Sequence, residues 1–203
     1  MATELDKLAE YYRGKGNSPR ASVYSALAAE ERSTGGPETV STPVIPEGAI
    51  RLPDLTIGGK TPKQLEKALV SGGFRVNDYA RDLLRSRCFT TLPDQQTLSL
   101  VRVTVSDLGL TGCPTTDQIY TKATSLGLEL CPAEVGPQLR LTYKDQPLGE
   151  WLYIGMKQIT GSGGCPVVFR LGRGGDGSWL DGRWASPDDR WDPRGGFVFS
   201  LRK

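Results

Sequence analysis

The amino-acid sequence predicts an α+β fold, with N-terminal helices followed by a small antiparallel β-sheet meander. Three observations predict it. Cap residues followed by apolar residues at three- and four-residue spacing prevail up to Gly127. Short alternating runs between glycine-rich turns prevail after it. Helical and strand patterns also fail to alternate regularly, as a parallel βαβ protein would require.

The elements can be justified in order. Thr3 is placed to cap a first helix, in which Leu5, Leu8 and Tyr12 repeat at helical spacing until Gly14 and Gly16 end the pattern. Ser18-Pro19 opens a second helix, carried by Val23, Ala26, Leu27 and Glu30 towards Gly35-Gly36-Pro37. Both are short and weakly apolar, so neither is stable alone. From Ser33 to Pro53, Ser, Thr, Gly and Pro dominate, which reads as a linker. The chain therefore divides into residues 1–53, short helices and flexible linker, and residues 54–203, an α+β domain.

Thr61-Pro62 is an N-cap and first-turn pair, followed by Leu65, Ala68 and Leu69 and closed by Gly72-Gly73. Asn77 caps the next helix, with Tyr79, Ala80, Leu83 and Leu84 assigned to one face. Leu98, Leu100, Val101, Val103 and Val105 are β-branched enough for a strand, although periodicity alone leaves a helix open. Thr115 or Thr116 caps a third helix through Ile119, Tyr120, Ala123 and Leu126. Beyond Gly127, Leu139 to Tyr143 alternates as a strand. Trp151 to Ile159, Val167 to Leu171, Ser178 to Trp184 and Phe197 to Leu201 read as further strands. Glycine turns at 161–164, 172–177 and 195–196 separate them.

A length of 203 residues suits one domain with an appendage. With 25 Lys and Arg against 23 Asp and Glu, the net charge of +2 implies no global basic surface for gripping nucleic acid. The sequence has no histidine, which removes Ser-His-Asp and Cys-His catalysis and histidine-ligated metals. Cys88, Cys113, Cys131 and Cys165 form no Cys-x-x-Cys pair, so they read as reduced thiols rather than zinc ligands. Met1 to Glu10 carries neither a basic n-region nor an apolar h-region, so a cytoplasmic location is expected. No apolar stretch approaches the ~20 residues of a membrane span, and no membrane role is expected.

Four stretches carry a resemblance. They are Thr115 to Tyr120, Leu126 to Pro137, Asp145 to Leu152 and Phe197 to Lys203. Together they resemble part of a bacterial and phage family of uncharacterised proteins, over about residues 54–203. The resemblance implies a bacterial or phage setting and a single C-terminal domain. It implies no activity, cofactor or catalytic residue.

Several candidate chemistries can be weighed from the residues. Gly172, Gly174, Gly175 and Gly177 lack the Lys-Ser/Thr and following helix of a phosphate loop, so they read as a hairpin turn. Asp176, Asp181, Asp188, Asp189 and Asp192 do not match a calcium loop and read as turn residues. Glu134, Asp145 and Glu150 flank the Tyr143 segment as candidate paired carboxylates, and Cys131 as a candidate thiol. Spacing does not show that they converge.

The most unusual feature is an aromatic–arginine mixture near the end. Phe169-Arg170, Arg173, Trp179, Arg183-Trp184, Arg190-Trp191 and Arg194 lie close in sequence. Guanidinium planes stack on indole faces and donate fixed hydrogen-bond forks, which suits a macromolecular contact. Alternatively, Trp and Phe fill the meander's core while Arg solvates its rim. The first functional reading is a non-enzymatic binding module contacting a protein partner through Trp179, Arg183, Trp184, Arg190, Trp191 and Arg194. Nucleic-acid binding through the same residues is the second, weakened by the interleaved aspartates. A histidine-free enzyme using Glu134, Asp145, Glu150 or Cys131 is the third. No catalytic residue, metal or cofactor is assigned.

Overall fold

The computed structural model describes residues 4–16, 21–22, 24–25 and 43–201, which belong to two units, Met1–Ser41 and Thr42–Lys203. In the first unit α1 spans Glu4–Gly14, with Ala9 and Tyr12 buried. The Tyr12 ring stacks on Tyr24 at 5.3 Å. The expected Thr3 cap lies outside the described residues, as do Ser18-Pro19, Val23, Ala26, Leu27 and Glu30 of the expected second helix.

In the second unit, pairing begins ahead of Asp54. The Val44 N–H donates to the Leu126 carbonyl at 2.9 Å, and β1 (Ile50–Arg51) is followed by the buried Leu52. Among its described residues the helices of this unit are α2 (Pro62–Ser71), α3 (Asp78–Arg85), α4 (Thr116–Ser125) and α5 (Val135–Thr142). Three start where the sequence places a cap. Thr61 and Thr115 each accept from the N–H three residues on and form capping boxes with Gln64 and Gln118, while Asn77 accepts from the Ala80 N–H.

The strands are β2 (Leu55–Ile57), β3 (Arg75–Val76), β4 (Gln96–Leu98), β5 (Leu100–Thr104), β6 (Leu128–Glu129), β7 (Trp151–Ile154), β8 (Ile159–Thr160), β9 (Pro166–Gly174), β10 (Gly177–Trp184) and β11 (Gly196–Leu201). β2 and β4 form a separate ladder. The others, among the described residues, make one nine-stranded sheet in the order β1-β5-β11-β7-β9-β10-β3, with β6 on β11 and β8 on β9. The α+β class holds, but the small antiparallel meander does not. The sheet is large and mixed, because β11 inserts between β5 and β7 and runs parallel to β7, and β3 runs parallel to β10. All six residues of β11 are buried, as befits a central strand covered on both faces.

The expected strand at Leu139 to Tyr143 is instead the end of α5. Val135 to Arg140 are all buried, so the segment lies inside the fold as a helix rather than presenting one alternating face. Helical backbone also seats Gly136 against Phe169, where a Cβ would stand 2.7 Å from the ring. The expected strand from Trp151 to Ile159 is interrupted: β7 ends at Ile154 and β8 begins only at Ile159, with Gly155 packed against the Phe199 ring where a Cβ would lie 2.3 Å away.

Register partners share a face of a sheet, which locates the layers. Phe169 pairs with Gly182, and these two meet Gly136 of α5 and Tyr79 of α3, so both helices cover that face. On the opposite face Phe199 meets Tyr120 of α4 edge-on at 6.1 Å, and Phe197 meets Trp191. Over β9 and β10 that second face carries Trp151, Arg170, Trp179 and Arg183, all at least partly exposed.

Candidate functional site

The β9–β10 hairpin turns at Gly175-Asp176 and holds Trp179 near its tip. Asp176 accepts the Trp179 indole N–H at 3.1 Å and pairs with Arg75 at 3.4 Å. The Arg75 guanidinium lies 5.1 Å from the Trp179 ring centroid. Next along the sheet, Arg170 stacks on Trp151 at 4.1 Å and pairs with Asp181 at 2.9 Å. Every stacked guanidinium at this end thus has a carboxylate partner.

The far end of β10 is different. Arg183 and Trp184 are exposed, and the Trp184 ring meets Tyr79 edge-on at 6.2 Å, the two being 53% and 52% exposed. Tyr79 was expected on the buried face of its helix with Ala80, Leu83 and Leu84, but only those three are buried. The chain after β10 is sewn to the body. The N–H groups of Thr116 and Asp117 donate to the carbonyls of Asp189 and Pro187 at 3.0 and 3.1 Å, and that of Trp191 donates to Pro114 at 3.0 Å. Arg190 Nη1 donates to the Cys113 carbonyl at 2.9 Å. This folding-back leaves a hollow of about 100 Å³ lined by Arg183, Trp184, Asp189, Arg190 and Trp191.

Four of the six residues expected as partner contacts therefore surround one hollow, from two segments of chain. The other two stand apart. Trp179 is five residues back along β10, about 17 Å at strand rise. Arg194 is exposed on its own turn, paired with Asp192 at 3.1 Å. That pair holds the Asp192 carboxyl below its ordinary range, chiefly through the Arg194 side-chain hydrogen bond.

The hollow does not present Trp191 as an exposed anchor. Its side chain is 5% exposed, its indole N–H donates to the buried Thr116 hydroxyl at 2.8 Å, and its ring packs edge-on against Tyr153 at 4.6 Å and Phe197 at 5.0 Å. It anchors the loop that carries Arg190. Trp184, equally preceded by an arginine, has no such apolar seat.

The candidate catalytic groups do not converge. Glu134, 1% exposed, accepts the N–H groups of Gly58 and Leu92, both at 2.8 Å, and so clamps two loops onto the start of α5. Glu150 pairs with Arg102 at 3.0 Å and accepts the Tyr143 hydroxyl at 3.2 Å, while Asp145 is exposed. Cys131 is 3% exposed, and burial raises its thiol pKa well above the ordinary value, which keeps it protonated. Among the described residues no three Cys, Asp or Glu side chains gather as a metal site. None of their helices is long and apolar enough to cross a membrane.

Two features escaped the sequence reading. One is the buried guanidinium of Arg140, which donates to Gln146 Oε1 and the Tyr143 carbonyl and is shifted by burial down to about 10, so it stays charged near neutrality. A fully buried arginine leaves no mark in local sequence. The other is Trp151, whose outward position was legible: in Trp151-Leu152-Tyr153-Ile154 the aliphatic residues alternate inward. No family model, curated protein or solved structure matches this chain.

Proposed function

We propose that this chain is a non-enzymatic binding module of a bacterial or phage protein, working in the cytoplasm and contacting a protein partner through the end of β10 and the loop that follows. The observation that carries the reading is the half-exposed Trp184–Tyr79 pair beside a hollow flanked by Arg183 and Arg190. Aromatic and arginine side chains dominate the energetic centres of protein interfaces. The loop is already held by backbone hydrogen bonds, so binding loses little entropy in ordering it. Elsewhere on the face Arg170 and Arg75 are paired with Asp181 and Asp176, so no run of positive charge follows a phosphate backbone. The internal bonds of Glu134 and Glu150 and the protonated thiol of Cys131 speak against the histidine-free enzyme.

The test is affinity purification from the native host with a nuclease-treated control, using the full chain and its Trp184→Ala variant. A partner that survives nuclease and is lost on Trp184→Ala, with the melting temperature unchanged, supports the reading. Loss of the captured material on nuclease treatment assigns the surface to nucleic acid instead.

A further inference from the structure

We propose, resting on that binding surface, that its hollow receives a carboxylate: the side chain of an Asp or Glu in an extended protein segment whose neighbouring residue is apolar. Three observations specify this chemistry.

The first is charge. Among the described residues no hydrogen bond or ion pair reaches the Arg183 guanidinium, and Arg190 donates only to a carbonyl. The one carboxylate in the lining, Asp189, accepts the Ser186 N–H at 2.7 Å within its own turn. Two guanidiniums and one carboxylate leave the hollow with a single uncompensated positive charge. A guanidinium fork matches a carboxylate in geometry as well as sign, and such charge-assisted bonds are the strong ones.

The second is size. About 100 Å³ suits one small anionic head group or a few water molecules.

The third is the arrangement of side chains. Arg183 and Trp184 are adjacent in a strand and so project to opposite faces of it. Among the described residues no strand pairs with β10 beyond Leu180 on its β3 side, where the Gly182 N–H donates to Asn77 Oδ1 at 3.1 Å and the edge past Gly182 carries Arg183 and Trp184. An extended segment lying along the end of β10 alternates in the same way. Its acidic residue would enter the hollow beside Arg183, and the next residue would meet the Trp184–Tyr79 pair.

The probe is a displayed library of random twelve-residue peptides, selected on the full chain, with a twelve-residue oligothymidylate as competitor and comparison. Selected peptides should be enriched in Asp or Glu next to a large apolar residue. A representative peptide should lose about tenfold or more in affinity on Arg183→Gln, and as much when its own Glu is changed to Gln. Arg183→Gln breaks no internal bond, so its melting temperature should match the parent. The proposal is overturned if selection yields no acidic enrichment, or if acidic peptides bind Arg183→Gln as well as the parent. It is also overturned if oligothymidylate binds through Arg183 and Arg190 while no peptide does. Peptides that lose affinity on Trp184→Ala yet are indifferent to their own Glu→Gln change would leave the binding surface standing and remove only the carboxylate. Indifference to both Trp184→Ala and Arg183→Gln would remove the surface as well.

Discussion

Trp191→Ala separates a core tryptophan from a contact tryptophan, and its size can be worked from the structure. The side chain is 5% exposed and packs edge-on against Tyr153 and Phe197 at 4.6 and 5.0 Å. Truncating a buried tryptophan costs about 3–5 kcal/mol through lost transfer energy and the cavity left behind. For a chain of this size each kcal/mol lowers the melting temperature by about 2–4 °C, so the fall should be about 6–20 °C. Trp191→Phe isolates the polar part. It retains an aromatic ring but removes the indole N–H that serves the fully buried Thr116 hydroxyl at 2.8 Å. Leaving that hydroxyl without its donor, with only its 3.5 Å bond to the Asp189 carbonyl, should cost about 1–3 kcal/mol, and Thr116→Val in the Phe background should recover part of it. Urea unfolding followed by circular dichroism gives the four stabilities of the cycle. A melting temperature for Trp191→Ala within about 2 °C of the parent would refute the reasoning and return Trp191 to the surface.

Other expectations follow from the same packing. Thr61→Ala removes the side-chain half of the capping box at the start of α2, the bond from the Gln64 N–H, and should cost about 0.5–2 kcal/mol in thermal unfolding. Glu134→Gln turns a donor towards the N–H of Gly58 or Leu92, so about 1–3 kcal/mol of stability should be lost; an unchanged urea midpoint would show that the clamp is dispensable. Gly172→Ala places a Cβ 2.1 Å from the Trp151 ring, so the indole must move off the sheet, shifting its fluorescence and breaking the Arg170 stack. In the native chain a thiol reagent should titrate Cys88, Cys113 and Cys165 quickly and Cys131 only on unfolding; four fast thiols would place Cys131 at the surface.

What the sequence determined by itself was local. The caps at Thr61, Asn77 and Thr115 were legible because each bonds a group three residues away, so the residues that make the contact also spell it. The strands at β5, β9 and β11 were legible because apolar and β-branched runs mark a buried extended chain wherever it pairs. Pairing itself was not. β11 lies between β5 and β7 through partners such as Val198 and Arg102, distant in sequence, and no local pattern names them. The Leu139 to Tyr143 segment alternates in sequence like a strand, yet it ends a helix that the fold buries from Val135 to Arg140 and packs at Gly136 against Phe169.

The candidate site divides in the same way. Its arginines and tryptophans were visible as a cluster, and Arg183-Trp184 and Arg190-Trp191 read alike as dipeptides. Tertiary structure gave them opposite fates. Trp191 reaches an apolar seat formed by Tyr153 and Phe197 with a buried hydroxyl at Thr116 to satisfy its N–H, so burial lowers its free energy. At the end of β10, Trp184 meets Tyr79 edge-on and stays half in water. Burial depends on what the rest of the chain brings to a side chain, and that is settled by the fold rather than by its neighbours in sequence.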